Sequence, residues 1–175
     1  MHGVNAPIYT IGHGQRPVEE LLECLREVGV RTLVDVRRFP GSRRNPQFNR
    51  EALAASLEQG GIAYRHAVEL GGRRSGEPGE ERFACLGLFG GYAARMGRPE
   101  WQQALADALA EPRPCLMCAE TAWQRCHRRL ISELLVARGR DIVHLIRPRE
   151  REPHQPYLDS EVRDGKLYLC GELVA

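Results

Sequence analysis

Lysine is almost absent from this sequence. Of its 25 basic residues only Lys166 is a lysine, and the others are arginines. The forked donors of arginine suit the recognition of phosphate and carboxylate groups, but a coding sequence rich in G and C, which also favours Ala and Gly, explains the same excess. The formal net charge is only +2, so composition alone does not indicate a nucleic-acid-binding protein. The positions of the arginines are therefore more informative than their number.

Long apolar runs are also missing. No segment approaches the roughly 20 apolar residues that a membrane span needs, and the N-terminus lacks the charged and then apolar segments of a signal peptide. We therefore expect a cytoplasmic protein with no membrane partner. In that compartment the six cysteines need not form disulfides, and Cys24 and Cys170 are interpreted as small core residues.

Repeats and linkers are absent too, and 175 residues are enough for one domain but too few for two. Strands are predicted over residues 8–13, 32–37, 62–66, 114–118 and 142–146, and helices over 17–28, 51–59, 92–96, 99–110 and 123–139. This alternation predicts a single α/β domain over residues 1–175, with three layers, a mainly parallel central sheet and a Rossmann-like arrangement. The core would span about 8–146, and residues 147–175 would form a tail that ends in one small strand.

One long connection, over residues 67–98, is rich in glycine and charge. We expect it to be either a functional lid or a poorly ordered segment, interrupted by the short helix near Tyr92. Its Leu70-Gly71-Gly72 turn can cover the end of the sheet.

The stretch from Pro114 to Arg129 joins a buried strand, a turn and the start of a helix. The first turn of that helix would present Cys126, His127 and Arg128 beside Glu120, which follows the strand. Because open α/β sheets bind ligands at the carboxyl ends of their strands, we expect the chemistry of the protein at this edge.

Cys115, Cys118, Cys126 and His127 are residues of the types that bind zinc. Their spacing disfavours a shared metal, since side chains three residues apart on a strand point to opposite faces. Consecutive residues on a helix also point about 100° apart. We therefore predict no metal site, and the sequence indicates no particular cofactor.

Cys118 is the candidate nucleophile, because a helix N-terminus and a nearby His127 or Arg128 would stabilise its thiolate. Six residues separate it from Arg125, one more than in a phosphatase-type loop, and the glycines of such a loop are missing. The phosphatase and rhodanese interpretations are therefore disfavoured. The alternative for Cys118 is a small buried residue, and His127 is explained equally well as a catalyst or as a hydrogen-bonded core histidine.

Polar residues end the neighbouring strands as well. His13 ends the first strand, while Asp35 and Arg37 end the second and share one face because they are two residues apart. Glu120 is interpreted as a general acid or base, or as an ion-pair partner of Arg37 or Arg128. This convergence predicts a functional cleft.

The predicted site has two groups of residues. The predicted catalytic residues are Glu120, His127, Cys118, His13 and Asp35. The predicted ligand-binding residues, which would hold an anion, are Arg37, Ser42, Arg43 and Arg128.

Together these segments resemble the domain-of-unknown-function family 488. The matching pieces are Thr10-Ile-Gly-His13, Leu33-Val-Asp35-Val-Arg37 with Pro40 and Ser42, Phe48, Gly61-Ile-x-Tyr64, Leu70-Gly-Gly72, and Cys118-Ala-Glu120 with Cys126-His-Arg128. The resemblance spans residues 8 to about 146 and implies a single α/β domain of a kind found in bacteria and archaea. It implies no reaction. Gly14 stands where a serine is expected in many relatives.

Three hypotheses follow from these residues. The first is an enzyme-like protein whose cleft binds an anionic or phosphate-bearing ligand, held by Arg37, Arg43 and Arg128. The second is a nucleic-acid-binding or DNA-repair-associated module whose loop over residues 38–44 contacts phosphates. The third is a non-catalytic domain whose polar pairs are structural.

Overall fold

The fold is built on one six-stranded sheet in the computed structural model, which describes residues 6–157 and 159–175. Its strands are β1 (Ile8–Gly12), β2 (Thr32–Asp35), β3 (Ala63–His66), β4 (Pro114–Cys118), β5 (Ile142–Arg147) and β6 (Glu150–Pro153). The first five strands pair in parallel, and β6 runs antiparallel to β5. The predicted α/β class with a mainly parallel sheet is confirmed.

The strands lie side by side in the order β3-β2-β4-β1-β5-β6. This order differs from the 3-2-1-4-5-6 order of the Rossmann fold. It places β4 between β2 and β1, so the carboxyl ends of these three strands are direct neighbours.

Five α-helices occur in the described residues. They are α1 (Val18–Glu27), α2 (Arg50–Gln59), α3 (Gly90–Met96), α4 (Pro99–Ala110) and α5 (Arg128–Ala137). Apolar residues of α1 and α2 form one cluster with Leu33 and Cys115. Residues of α3, α4 and α5 form the other cluster with Val34 and Cys118. Cys115 and Cys118 therefore face opposite sides of the sheet, as their spacing predicts. None of the helices in the described residues is long and apolar enough to cross a membrane.

The connection over residues 67–98 is ordered. It contains the 3-10 helix Val68–Leu70 and a 3-10 segment, Glu80–Phe89, which is interrupted by non-helical backbone at Phe83 and Gly87, and α3 follows. Phe83 and Tyr92 are buried in the core, and the Tyr92 hydroxyl donates to the Leu70 carbonyl at 2.8 Å. The expectation of a poorly ordered segment is wrong, because these apolar side chains anchor the segment to the domain.

The C-terminal segment is more structured than a tail. After β6 it forms a second sheet of β7 (Glu161–Arg163), β8 (Lys166–Leu169) and β9 (Glu172–Leu173). Leu167 and Leu169 of β8 join the core cluster of α5. Cys170 is not the core residue we predicted, because it lies in the turn after β8 with φ +55° and forms a disulfide with Cys85.

The helix after β4 begins later than its apolar pattern predicts. Residues Trp123–Arg125 form a 3-10 turn, and Cys126 is extended, with φ −121° and ψ 149°. His127 is the N-cap residue of α5, which starts at Arg128. Cys126 and His127 therefore stand in front of the helix N-terminus rather than on the helix face.

Candidate functional site

The carboxyl ends of β1, β2 and β4 form one polar edge of the sheet. The His13 N–H donates to the Cys118 carbonyl at 3.0 Å, which extends the pairing of β1 and β4 by one residue. Gly12 approaches the next turn so closely that a Cβ there would lie 1.9 Å from the Glu120 carbonyl oxygen. The residues predicted at these strand ends therefore share one edge.

Asp35 and Arg37 form a buried ion pair at this edge. Asp35 Oδ1 accepts hydrogen bonds from Arg37 Nε at 2.8 Å and from its backbone N–H at 3.1 Å. Asp35 Oδ2 accepts from Arg37 Nη2 at 2.6 Å and from the Tyr64 hydroxyl at 2.7 Å. Burial and the Asp35 carboxylate raise the pKa of Tyr64, which therefore keeps the proton that it donates.

His13 and the Phe48 carbonyl complete the bonding of Arg37. Its Nη2 donates to the Phe48 carbonyl at 2.9 Å, and its Nη1 lies 3.1 Å from His13 Nε2. An arginine can only donate, so Nε2 accepts and the proton of His13 is on Nδ1, 2.8 Å from the Gly14 carbonyl. Burial lowers the pKa of His13 to about 4, so the ring is neutral at neutral pH.

This group of Asp35, Arg37 and His13 is closed to ligands in the structure. All three guanidinium nitrogens of Arg37 bond to protein atoms. The side chains of Arg37 and Asp35 are only 7% and 0% exposed. The arrangement connects three segments of the chain, so its evident effect is to fix the edge of the sheet.

Cys118 faces the core at the end of β4. Its thiol lies 3.7 Å from the Glu120 carbonyl. Burial, together with its hydrogen bond to Cys126, raises the pKa of Cys118 well above the ordinary value. A thiol in this state is a weak nucleophile at neutral pH.

Cys126, unlike Cys118, lies beside an imidazole nitrogen and the first N–H of a helix. Its Sγ lies 3.6 Å from His127 Nδ1 and accepts the backbone N–H of Arg128 at 3.4 Å. His127 Nε2 lies 3.0 Å from the Val36 carbonyl, which can only accept. In the neutral ring Nδ1 is therefore unprotonated and faces the thiol.

The charges around Cys126 favour its thiolate. Burial raises the pKa of Cys126, but the hydrogen bond from Cys118 and the charge and hydrogen bonds of Arg128 outweigh burial and leave the pKa at about 7. Burial lowers the pKa of His127, so its ring is a neutral acceptor at neutral pH.

Arg128 lies beneath these thiols and is 1% exposed. Its Nη1 donates to Thr10 Oγ1 at 2.9 Å, and its Nη2 donates to the Glu120 carbonyl at 2.8 Å. Among the described residues, its Nε has no hydrogen-bond partner. A guanidinium in this position stabilises a thiolate from inside the protein.

Glu120, Ser42 and Arg43 lie outside this buried group. The Glu120 side chain is exposed, and only its backbone carbonyl bonds to Arg128. Ser42 Oγ accepts the Asn45 N–H at 3.2 Å, and Arg43 is exposed in the basic loop. The structure therefore separates the predicted residues into a closed ion-pair group, a thiol group and a set that lies outside both.

A glycine turn covers the thiol group. A Cβ at Gly72 would lie 2.6 Å from His127 Nδ1, and a Cβ at Gly71 would lie 2.7 Å from the Arg38 backbone. Neither position has room for a side chain. Cys126, next to His127, is 3% exposed, so its thiol is shielded from solvent.

Sequence reasoning misses Cys126 as a nucleophile. A helix that starts at Trp123 would place Cys126 on a buried helix face, whereas its extended backbone places the thiol before the N-terminus of α5. The Cys-His pair at a helix start is the signal that could have indicated it. Thr10 and His144 are also missed, and their signal is a polar residue facing inward from an otherwise apolar strand.

No metal-binding arrangement of three or more His, Cys, Asp or Glu residues occurs in the part of the chain that the structure describes. Two surface grooves lie elsewhere, one beside Tyr64 and one near Arg31 at the amino edge of the sheet. Neither groove is lined by Cys126 or His127.

Comparison with known proteins identifies a family. No curated protein and no solved structure matches the chain. The family model described as "Domain of unknown function DUF488" matches residues 17–135, which include the ion-pair and thiol groups except for His13, the residue after β1. Since this match covers more than half of the 175 residues, the chain belongs to the DUF488 family.

Proposed function

We propose that this protein is an enzyme that uses Cys126 as a thiolate nucleophile and His127 as its proton acceptor, on a substrate that carries negative charge. The observation that carries the proposal is the geometry in front of α5. There the Cys126 thiol lies 3.6 Å from an unprotonated imidazole nitrogen and 3.4 Å from the Arg128 N–H. A thiol beside a positioned base at a helix N-terminus is the usual arrangement for covalent catalysis by cysteine.

The positions of the hydrogen atoms on Cys126 and His127 define the roles that we propose for these residues. His127 Nδ1 takes the thiol proton, while the bond from Nε2 to the Val36 carbonyl holds the ring in place. Cys126 Sγ then attacks an electrophilic atom of the substrate, and His127 returns the proton to the leaving group. Arg128 stabilises the thiolate through its charge and through its backbone N–H, which donates to Cys126 Sγ.

The charge of the substrate is inferred from the basic residues beside the glycine turn. Arg38 Nη1 donates to the Arg73 carbonyl at 3.0 Å, which places both arginines beside the turn that covers His127. Burial and the charges of Arg95 and Arg38 lower the pKa of Arg74. An anionic group on the substrate would relieve this repulsion, and an arginine is well suited to bind it.

The residues predicted from the sequence take revised roles in this proposal. Asp35, Arg37 and His13 hold the edge of the sheet, because their donors and acceptors are already used. Glu120 and Arg43 are exposed, Ser42 is partly buried, and all three stay as proposed contacts for the ligand.

Alkylation kinetics test the proposal. The rate of carboxymethylation of the Cys126 peptide, followed by mass spectrometry, should rise with pH, with a midpoint at about 7. Replacement of His127 by Gln removes the proton acceptor beside the thiol, and a midpoint raised by about one unit should lower the rate at pH 7 about five-fold. Cys118→Ser keeps a hydrogen-bond donor and is the matched control that should leave Cys126 reactive.

The charge of the substrate is tested with a second reagent. Iodoacetate is an anion and iodoacetamide is neutral, so the ratio of the iodoacetate rate to the iodoacetamide rate at Cys126 reports the local electrostatic potential. We expect the ratio to exceed that of a free thiol and to fall when Arg38 and Arg73 are both replaced by Gln. A reaction confined to Cys118, or a Cys126 midpoint near the ordinary value of about 8.5, would contradict the proposed nucleophile.

Nucleic-acid binding is a second candidate, favoured by the loop after β2. Phe39 is 62% exposed, and the Arg38 guanidinium lies 5.1 Å from its ring centroid. Exposed Arg43 and Arg44 follow in the same loop. Exposed aromatic and basic residues together suit stacking on bases and contact with phosphates.

Salt dependence tests this second candidate. If the loop binds phosphates, replacing Arg43 and Arg44 together should flatten the salt slope of DNA or RNA binding by about two units. A slope that does not change, or binding weaker than roughly millimolar at moderate salt, would exclude nucleic-acid binding by this loop. The proposed enzyme with a small substrate would then remain. A protein with neither thiol reactivity nor nucleic-acid binding would support the non-catalytic domain.

The finer description of the fold also belongs to this proposal. We infer one domain for the chain, with three layers and a Rossmann-like arrangement, because apolar clusters lie on both faces of the sheet. The strand order sets it apart from the usual dinucleotide-binding topology. Limited proteolysis should therefore yield one resistant fragment that contains both β1 and β8.

A further inference from the structure

A buried chain of polar side chains leads from Arg128 away from the thiols. Arg128 Nη1 donates to Thr10 Oγ1 at 2.9 Å, and that oxygen lies 2.7 Å from His144 Nδ1. His144 Nε2 lies 3.0 Å from His154 Nδ1. His154 Nε2 in turn lies 3.3 Å from Glu133 Oε1, as a close contact rather than an in-line hydrogen bond. Each of the five residues is at most 8% exposed.

The positions of the protons in this chain follow from both of its ends. Glu133 as a carboxylate only accepts, so its contact with His154 Nε2 favours a proton on that nitrogen, and in a neutral ring His154 Nδ1 then accepts from His144. His144 Nδ1 must then accept from the Thr10 hydroxyl. From the other end, Arg128 only donates, so Thr10 Oγ1 accepts from it and keeps its own proton to donate to His144. The two ends favour the same direction.

The rings are held in this orientation by packing. The Trp123 ring stacks on His144, with centroids 4.2 Å apart and planes 12° apart, and its Nε1 donates to Glu152 at 2.9 Å. At the far end, Glu133 Oε1 accepts the Tyr157 N–H at 2.6 Å. Burial lowers the pKa of His144 to about 2, so this ring is neutral at any working pH.

We propose that Thr10, His144 and His154 form a fixed, one-directional hydrogen-bond chain that positions the Arg128 guanidinium beneath Cys126. The proposal rests on the proposed function of Cys126, and it makes these three residues positioning residues. The chain does not conduct protons, because Arg128 does not release one. Its effect is to orient the cation, with the Glu133 carboxylate as the counter-charge at its far end.

The Cys126 thiolate responds to every charge that faces it. These groups are Cys118 from β4, His127 and Arg128 at the start of α5, and Tyr92 from α3. Of these, only Arg128 is joined to the chain through Thr10. A change at Thr10 that shifts the ionisation of Cys126 therefore acts through Arg128.

Nuclear magnetic resonance of the wild-type protein with 15N-labelled histidine tests the chain directly. His144 and His154 should both be protonated on Nε2 alone, while His13, which bonds differently, should be protonated on Nδ1 and serves as the contrast. The variants His144→Gln and His154→Gln assign the signals. Protonation of His144 on Nδ1, or of His154 on both nitrogens at neutral pH, overturns the proposal.

The effect on Cys126 is tested with Thr10→Val, which keeps the side-chain volume and removes the acceptor of Arg128. The midpoint of Cys126 alkylation should rise by about one pH unit, which lowers the rate below the midpoint about tenfold. Thr10→Ser keeps the hydroxyl and should restore the wild-type profile. A profile that is identical in all three proteins overturns the positioning role.

The two proposals fail separately. A wild-type Cys126 that does not ionise near neutral pH overturns the proposed function, and the tautomers of His144 and His154 then still decide the chain. A Cys126 that ionises near pH 7 in both wild type and Thr10→Val overturns the chain alone. If Thr10→Val does not fold, the wild-type tautomers carry the test.

Discussion

The two polar groups at the carboxyl edge of the sheet contrast sharply in how their hydrogen bonds are completed. In the Asp35, Arg37 and His13 group, both carboxylate oxygens and all three guanidinium nitrogens bond to protein atoms. In the thiol group, Cys126 is in contact with an unprotonated nitrogen of His127.

The contrast separates structural from reactive polar groups. A closed network contributes stability and leaves nothing for a substrate, since every buried donor and acceptor already has a partner. The pKa of a buried thiol is lowered only where a nearby cation offsets the cost of burying the thiolate, and a neutral base beside the thiol can then accept its proton. We therefore expect substitutions in the first group to change the free energy of unfolding, and those in the second to change reactivity.

The largest effect on stability is expected for Asp35→Asn. It leaves the buried Arg37 charge without its carboxylate, and breaking a buried ion pair from one side costs about 3–5 kcal/mol of unfolding free energy. Tyr64→Phe removes one hydroxyl from the same oxygen and should cost about 1 kcal/mol. Urea denaturation measures both. A loss below about 1 kcal/mol for Asp35→Asn would show that the pair is not the support of this edge.

The sequence predicts this edge but not its bonding. Strand periodicity and the two-residue spacing of Asp35 and Arg37 are local signals, so the sheet and the meeting of strand ends are predictable. The Tyr64 hydroxyl, which donates to Asp35, and the Phe48 carbonyl, which accepts from Arg37, come from other segments, and no local pattern reveals them. The extended backbone of Cys126 is likewise set by tertiary packing, so a helical apolar pattern misplaces the start of α5 and does not reveal that Cys126 lies in front of it.

The second prediction concerns acid sensitivity through His13. In the native state the pKa of His13 is about 4, whereas in the unfolded chain it is about 6.5. Between these values the unfolded state binds more protons, so the free energy of unfolding should decrease as pH falls, by up to about 3 kcal/mol. His144 acts in the same direction, because burial lowers its pKa to about 2.

The control for this prediction is His13→Gln. Its stability should fall less between pH 6.5 and pH 4 than that of the wild type. Because His144 contributes to the free energy of unfolding in both proteins, the difference between their pH curves gives the contribution of His13. Parallel curves over this range would mean that His13 is protonated in the native state and does not accept from Arg37.

The third prediction addresses the turn that covers the thiol group. In Gly72→Ala a Cβ would lie 2.6 Å from His127 Nδ1, so the turn or the ring must shift, at a cost of about 2 kcal/mol. The displaced ring should also slow the alkylation of Cys126 at neutral pH. Gly41→Ala is the matched control, because a Cβ there meets nothing within 4 Å. Equal stability and reactivity in the two variants would mean that the turn does not rest on His127.

The smallest effect on stability is expected for Glu120→Gln. Glu120 follows β4 directly, where a carboxylate would be expected to take part in the buried bonding. The structure instead exposes its side chain and uses only its backbone carbonyl, which accepts from Arg128 at 2.8 Å. Any residue supplies that carbonyl, so the free energy of unfolding should change by less than about 0.5 kcal/mol. The same variant would still show a role in binding if the iodoacetate-to-iodoacetamide ratio at Cys126 rises, since removing a negative charge beside the site favours the anionic reagent. A loss of several kcal/mol would place the Glu120 carboxylate inside the bonded network, and the division between closed and reactive groups would have to be redrawn.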